Sequence, residues 1–247
     1  MSPPPSPATE HSINNDLEGN LRGIRSRIRA CCGKYGRDPD SVRLVAVGKQ
    51  HPAERIAALA ALGQRDFGEN YLQEAGRKMD WCHDQAPGAA NDLAWHFIGH
   101  VQSRKCRDIA ERFHWVHTVD SVKVATRLNQ HRGDRRLNVL IQVNIDDEPT
   151  KSGVRVDQVQ DLANMVSTLS NLHLRGLMII PRARDTFAQQ REAFARCRQL
   201  QDSLIREGLA LDELSMGMTA DMEAAIAEGA TMVRIGTALF GPRPPSA

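Results

Sequence analysis

Short apolar runs alternate along the chain with longer amphipathic stretches. Each run holds four to six residues, most of them Val, Ile, Leu, Trp, Phe or Met. Apolar runs of this length are typical of strands buried on both faces of a parallel sheet. We predict eight such strands, at residues 42–47, 65–68, 95–99, 115–119, 139–144, 176–180, 213–216 and 232–236.

The stretches between these runs have helical periodicity. The first helix is predicted at 14–32, where apolar residues recur every three or four positions and Gly33 ends the run. Pro52 begins the next helix, at a position where a missing backbone donor does no harm. Asp120-Ser121 and Asp185 begin two more, and the last full helix is predicted at 221–228.

Eight strand–helix units with short connections predict a closed (β/α)₈ TIM-type barrel preceded by an N-terminal helix. An open doubly wound sheet is the alternative, but it has fewer strands as a rule and favours a glycine-rich first turn, which this sequence lacks. The length of 247 residues suits one barrel domain. We place that domain at 13–247, after a proline-rich disordered tail at 1–12, and expect no second domain.

Composition narrows the classes of function. The net charge of +2 is too balanced for a nucleic-acid-binding surface. The five cysteines are odd in number and form no CxxC pair, which favours a reducing, cytoplasmic location over a disulfide framework or zinc ribbon. No apolar stretch is long enough to span a bilayer, and the first residues lack the pattern of a signal peptide.

Lys49 is the first candidate functional residue, because it lies at the C-terminal end of a predicted strand, where active sites of this fold are found. It follows the apolar run 44–48 directly. Partial desolvation lowers the pKa of such a lysine and favours the neutral amine that attacks an aldehyde. The alternative is a lysine that simply starts a loop, and position alone favours that alternative.

A second group of residues follows the last two predicted strands. Residues 215–219 (SMGMT) and 234–237 (RIGT) occupy the usual phosphate site of this barrel. Gly217 and Gly236 allow the backbone to approach an anion, and Thr219 and Thr237 offer hydroxyl donors. A glycine turn with a threonine cap is the alternative, and the barrel assignment favours the phosphate site.

Three other patterns do not by themselves establish a functional site. His96 and His100 have metal-ligand spacing, but no third ligand is evident, so we interpret both as structural and predict no metal site. Residues 150–153 (TKSG) lack the preceding glycines of a P-loop. Asn70 either hydrogen-bonds a ligand or caps the following helix, and the sequence does not choose between the two.

Six segments together resemble the pyridoxal phosphate homeostasis protein family. They are 44–49 (LVAVGK), 66–74 (DFGENYLQE), 95–102 (WHFIGHVQ), 117–121 (HTVDS), 150–153 (TKSG) and 214–240 (LSMGMTADMEAAIAEGATMVRIGTALF). The resemblance extends from Leu17 to Arg243. It implies the fold-type III barrel of alanine racemase without that enzyme's second domain, and pyridoxal 5′-phosphate (PLP) as the cofactor.

The resemblance also implies roles for single residues. Lys49 takes the place of the lysine that carries PLP as a covalent imine, and Arg234 that of the arginine facing the pyridine nitrogen. The remaining implied cofactor-binding residues are Asn70, Met218, Thr219, Gly236 and Thr237. The chain departs from the family pattern in reading AVGKQ for AVSKT, MGMT for MGMS and QSRK for QSNK. Gly48 and Gln50 therefore flank the lysine.

Three functions compete at this point. The first is a PLP carrier or regulator in vitamin B6 homeostasis with no catalytic residues, which we expect to be monomeric and to serve PLP-dependent apoenzymes. The second is a PLP-dependent amino-acid racemase. The third is a barrel that binds another phosphorylated metabolite, with Lys49 as a counter-ion. The first is our prediction, although the sequence decides neither the recipient apoenzymes nor the oligomeric state.

Overall fold

The computed structural model describes residues 7–90, 92–133 and 135–242. Helix α1 spans Pro7–Lys34 and so begins earlier than residue 14. Residues 7–12, predicted as part of a disordered tail, belong to this helix. Proline is tolerated in the first turn of a helix, because the backbone N–H groups there have no partner within the helix. The first six residues of the predicted tail lie outside the described residues.

Nine strands are present among the described residues. They are β1 Arg43–Val47, β2 Asp66–Glu69, β3 Ala94–Phe97, β4 Trp115–Val119, β5 Leu137–Asn144, β6 Val154–Arg155, β7 Leu172–Met178, β8 Glu213–Ser215 and β9 Met232–Ile235. Eight of them match the predicted runs, with ends that differ by at most four residues. The two-residue β6 was not predicted, since so short a strand leaves no periodicity.

Helices separate the strands. After α1 they are α2 Ala53–Ala61, α3 Leu72–Gln85, α4 Pro87–Ala90, α5 Cys106–Arg112, α6 Val122–His131, α7 Val159–Ser167, α8 Phe187–Arg206, α9 Met222–Ala227 and α10 Thr237–Phe240. Short 3₁₀ turns lie at Pro39–Ser41, Ser103–Lys105 and Val156–Gln158. Within the described ranges, no helix is long and apolar enough to cross a membrane.

The sheet closes into a barrel. All strand pairs are parallel, in the order β4-β3-β2-β1-β9-β8-β7-β5, and β4 also pairs with β5. Strand β6 lies outside this ring and pairs with the end of β5. The predicted (β/α)₈ barrel is therefore confirmed, and the seventh and eighth predicted strands are β8 and β9.

Side chains fill the barrel interior at its N-terminal end. Val45, Trp115, Leu140, Met178 and Met232 form a buried cluster that is separate from the larger core between strands and helices. The guanidinium groups of Arg43 and Arg175 each lie about 5 Å from the centre of the Trp115 ring. Because this end is packed, an accessible site is expected at the C-terminal ends of the strands.

Candidate functional site

A cavity of about 330 Å³ lies at the C-terminal ends of β1 and β9. Seven of its lining residues are the predicted site residues: Lys49, Asn70, Met218, Thr219, Arg234, Gly236 and Thr237. The structure thus brings together side chains that are up to 188 positions apart in the sequence. Their roles as cofactor ligands stay predictions, because the geometry shows only that they share one cavity.

The pairing of β1 with β9 explains this convergence. Val45 lies opposite Arg234 and Ala46 opposite Ile235, so the two strands end side by side. Lys49 follows β1 in a turn, half-buried, and the next residue, Gln50, has a φ of 64°. The first and last strands of the barrel are therefore neighbours, as closure of the sheet requires.

The turn after β8 is built around Gly217. Its φ is 93°, and a Cβ atom at this position would lie 2.5 Å from the Cβ of Ala225. Both the backbone conformation and the packing therefore require glycine. The turn places Met218 and half-buried Thr219 at the cavity. The backbone N–H of Met218 donates to Asp221 Oδ1 at 2.6 Å, so this N–H is already bonded within the turn.

Gly236 has a different reason to be glycine. Its φ is −109°, an ordinary value, and a Cβ atom there would come no closer than 3.5 Å to any protein atom outside its immediate neighbours. Neither backbone strain nor packing within the protein excludes a side chain. A ligand held against this part of the backbone, beside Thr237, would account for the glycine.

Asn70 does not cap the helix that follows it. Tyr71 occupies the N-cap position of α3, which has no side-chain cap bond. Asn70 Oδ1 is buried and has no hydrogen-bond partner among the described residues. A buried polar atom without a partner is costly, and at a cavity wall it points to a ligand donor. Of the two alternatives for Asn70, the structure favours the ligand contact.

Two buried ionisable groups, Glu69 and Lys78, lie next to Lys49, and their pairing was not predicted from the sequence. Lys78 Nζ donates to Glu69 Oε1 at 2.7 Å, to Glu74 Oε1 at 2.6 Å and to the carbonyl of Gly48 at 2.7 Å. Burial raises the pKa of Glu69 to about 7, while Lys78 opposes that shift. The spacing of Glu74 and Lys78, four apart on α3, is the one signal from which a pair could have been predicted.

Other cavity residues were also missed. Val47, Ile98 and Ile180 give the cavity apolar walls, and His51 lies beside Lys49. The ring of His51 stacks on Phe240 at a centroid distance of 4.9 Å. His51 could have been found from its position two residues after the lysine, whereas the apolar wall residues resemble ordinary strand ends.

Arg234 is the buried charge of the site. Only 5% of the residue is exposed, and its guanidinium donates to Ser215 Oγ at 2.8 Å and to the carbonyl of Ile179 at 2.9 Å. Burial lowers the pKa of Arg234 to about 10, so the group stays protonated at neutral pH. A protonated guanidinium can only donate hydrogen bonds, and it presents a fixed cation to the cavity.

The histidine pair and the TKSG segment lie elsewhere. His96 is buried inside the barrel, whereas His100 is exposed and 3.9 Å from Asp120. Among the described residues, no group of three or more His, Cys, Asp or Glu side chains could hold a metal ion. Gly153 packs against the backbone of β5, where a Cβ atom would lie 2.7 Å from the Asn144 nitrogen. Packing therefore explains this glycine.

Fold and site together define a (β/α)₈ barrel of the alanine racemase N-terminal type, with a lysine at the mouth of the first strand. The family described as alanine racemase, N-terminal domain, matches residues 20–244. Pyridoxal phosphate homeostasis proteins of Pseudomonas aeruginosa and Escherichia coli are 51% and 46% identical. They cover 91% and 93% of this chain and 94% and 97% of their own length. The chain belongs to the pyridoxal phosphate homeostasis protein family.

Solved structures agree with this assignment. PipY of Synechococcus elongatus, solved without PLP, has a TM-score of 0.80 and 38% identity, and covers 91% of this chain and 100% of its own. The same protein solved with PLP bound has a TM-score of 0.78 and 36% identity over the same shares of the two chains. Alanine racemase of Corynebacterium glutamicum shares the fold, with a TM-score of 0.69 at 15% identity. The similarity covers 94% of this chain and 62% of the racemase.

Proposed function

We propose that this protein binds PLP through a covalent imine on Lys49 and acts in intracellular PLP homeostasis as a carrier or regulator. The observation that carries the proposal is the single cavity shared by Lys49, Arg234 and the two threonine-containing turns. PLP has an aldehyde and a phosphate-bearing methylene group on adjacent carbons of one ring, so it needs a lysine and an anion cradle within one compact site. The PLP-bound structure of PipY supports the choice of ligand.

The donors present fit this ligand. Thr219, Thr237 and the backbone beside Gly236 offer uncharged donors to a phosphate, and the buried guanidinium of Arg234 offers a donor to the pyridine nitrogen. The unpartnered Asn70 Oδ1 is free to accept from a ligand donor. When bound, PLP supplies an electron sink for carbanion chemistry. The protein's own residues bind and orient it, and we assign the whole site to the one domain predicted at 13–247.

The same residues argue against efficient amino-acid turnover. In the proposed arrangement Arg234 faces the pyridine nitrogen, and because it only donates, that nitrogen accepts and stays unprotonated. An unprotonated ring is a weaker electron sink. A racemase also needs acid–base groups on both faces of the substrate carbon. Tyr71 is 57% exposed and is absent from the cavity lining, while Tyr35 hydrogen-bonds Glu223.

The rim of the cavity suits transfer of the ligand. Met218 and Ile180 line it, and each is 41% exposed, so the site is not sealed by its own side chains. We propose PLP-dependent apoenzymes as recipients and a monomer as the acting form. The five free cysteines favour the cytoplasm as the compartment.

Borohydride reduction followed by peptide mapping tests the covalent link. Wild-type protein incubated with PLP should show a visible imine band, and reduction should fix the label on the Lys49 peptide. Lys49→Ala should lose the band. Lys151→Ala is the matched control, because Lys151 pairs with Glu148 on the surface and does not line the cavity. A label on Lys151, or a full band in Lys49→Ala, contradicts the proposal. Phosphate-ligand binding with no imine band favours the third function.

Amino-acid turnover separates the carrier from the racemase. PLP-loaded protein is incubated with L-alanine, L-serine and other amino acids in deuterium oxide, and chirality and exchange at Cα are followed. We expect no turnover approaching the common enzymatic range of roughly 1–10³ s⁻¹. Turnover in that range, abolished by Lys49→Ala, would make the protein an enzyme. Tyr71→Phe would then show whether that tyrosine acts as the second acid–base group.

A further inference from the structure

Five polar side chains form a continuous line of hydrogen bonds through the barrel interior. Arg234 donates to Ser215 Oγ at 2.8 Å, and Ser215 Oγ lies 2.8 Å from His117 Nδ1. His117 Nε2 lies 2.9 Å from His96 Nδ1, and His96 Nε2 lies 3.0 Å from Asp66 Oδ1. The line runs from β9 through β8, β4 and β3 to β2 and so crosses the barrel.

The two ends of this line meet two different cavities. Arg234 lines the cavity with Lys49. Asp66 lines a second cavity of about 290 Å³ at the start of β1 and β2. The three residues between them are completely buried. Burying a line of polar side chains this long costs free energy unless every member has a hydrogen-bond partner. Because the barrel interior could have been apolar instead, the presence of this line calls for an explanation.

Donor and acceptor chemistry allows one arrangement of protons when both imidazoles are neutral. The ionised carboxylate of Asp66 can only accept, so His96 carries its proton on Nε2 and accepts at Nδ1. His117 must then donate from Nε2 and accept at Nδ1. The Ser215 hydroxyl donates to that Nδ1, and its oxygen accepts from Arg234. Every donation therefore points from Arg234 towards Asp66.

Burial supports neutral rings. It lowers the pKa of His117 well below its usual value, with His96 and Arg234 adding to the effect. It also lowers the pKa of His96, and the hydrogen bond that His96 donates to Asp66 opposes this shift. With the rings neutral, the line joins a buried cation to a distant anion through aligned dipoles. Within the described residues, no carboxylate forms an ion pair with Arg234. The charge of Asp221 favours its protonated form, and hydrogen bonds to Ser215 Oγ and to the Ile179 carbonyl hold its guanidinium.

We propose that this hydrogen-bond relay positions the Arg234 guanidinium for the cofactor ring. Its members are Arg234, Ser215, His117, His96 and Asp66. The inference rests on the proposed PLP site and extends it. The last four residues touch no cofactor and act through Arg234, which makes them positioning residues. Ser215 is the key member, because its hydroxyl is the relay group that bonds Arg234 directly.

Histidine tautomers in the wild-type protein provide the first test. Two-bond ¹H–¹⁵N correlation spectra of the protein without PLP, at pH 7, should show His96 and His117 both neutral and both protonated on Nε2. A proton on Nδ1 of either ring, or a doubly protonated ring, would overturn the relay. This result does not depend on PLP binding or on the stability of any variant.

PLP titrations of variants provide the second test. Ser215→Ala should raise the dissociation constant roughly five- to tenfold, the effect of losing one ordinary hydrogen bond. It should also shift the absorption maximum of the bound cofactor. Thr231→Val is the matched control, because it removes a hydroxyl that bonds Glu213 and Leu214 at the far end of β8 and β9. It should leave both readouts at wild-type values.

A double-mutant cycle then asks whether Ser215 acts through Arg234. In an Arg234→Gln background, Ser215→Ala should change the dissociation constant less than about twofold. An equal effect in both backgrounds, or unchanged binding and spectrum in folded Ser215→Ala, overturns the relay. These results are distinct from failure of the proposed function, in which the wild-type protein itself shows no imine band. If the wild-type protein shows no imine band, the histidine tautomers alone test whether the hydrogen-bond relay exists.

Discussion

Lys78 Nζ lies 2.7 Å from Glu69 Oε1, in a buried pair between the end of β2 and helix α3. Lys78 also donates to the carbonyl of Gly48, the residue before the proposed cofactor lysine. Glu69 is fully buried, and the exposed fraction of the Lys78 side chain is 6%. The pair thus fixes the backbone from which Lys49 emerges, while both charges are held away from water.

We predict that Lys78→Met destabilises the protein strongly. The substitution leaves Glu69 buried without its counter-ion, and breaking a buried pair in this way costs about 3–5 kcal/mol. Urea unfolding followed by circular dichroism measures the loss. Lys34→Met is the control, because Lys34 pairs with Glu223 on the surface and should leave the free energy of unfolding close to wild type. A loss below about 1 kcal/mol for Lys78→Met would contradict the pair's role.

The raised pKa of Glu69 predicts that the free energy of unfolding falls as the pH rises towards 8. Between the ordinary glutamate pKa of 4.5 and the raised pKa of about 7, the folded protein binds up to one proton more than the unfolded chain. The contribution to stability is therefore complete below pH 4.5 and is lost as pH rises through 7. Between pH 5 and pH 8, wild type should lose on the order of 2 kcal/mol more than Glu69→Gln. Parallel losses in the two proteins would show that Glu69 does not titrate in this range.

Thr219 tests the phosphate end of the proposed site. Thr219→Ala should weaken PLP binding by about 1 kcal/mol, since it removes one modest hydrogen bond. Thr219→Asp should weaken it further, because a carboxylate there repels a phosphate. Isothermal titration with PLP measures both. Thr168→Ala is the control, as that hydroxyl bonds the Met165 carbonyl on the surface. Unchanged affinity in Thr219→Asp would exclude phosphate from this turn.

Alanine substitutions at Gly217 and Gly63 distinguish the free-energy cost of backbone strain from the cost of poor packing. Gly217→Ala forces alanine to a φ of 93° and places a Cβ atom 2.5 Å from that of Ala225. We expect a loss of about 2–4 kcal/mol, together with weaker PLP binding. Gly63→Ala is the matched control, because Gly63 also has a positive φ, 81°, but has open space around it. It should cost about 1–2 kcal/mol and leave PLP binding intact. Equal losses in the two variants would remove the packing argument.

Periodicity located the strands well where they are apolar throughout. Predicted strand 115–119 matches β4, Trp115–Val119, because every residue in it is buried. Strand β7 begins at Leu172, four residues before the predicted start at 176. His173 and Arg175 interrupt its apolar run, and Gly176 allows a close approach to the Glu213 carbonyl. Polar side chains in this strand concealed its first half.

The sequence by itself determined the barrel, the lysine at the end of its first strand and the glycine turns after its last two strands. These features depend on local periodicity and local backbone conformation, which neighbouring residues carry. Strand order then follows from the count of strand–helix units. For this reason all seven predicted site residues line one cavity.

Only the tertiary structure decided the partners of the buried polar groups. His117 and Ser215 are 98 positions apart, yet they share a hydrogen bond inside the barrel. Asn70 Oδ1 has no hydrogen-bond partner among the residues that the structure describes, and no local sequence motif indicates this. Hydrogen bonds and pKa shifts depend on which groups closure of the barrel brings within about 3 Å and removes from water. That proximity has no periodicity along the chain, so it becomes visible only in the folded molecule.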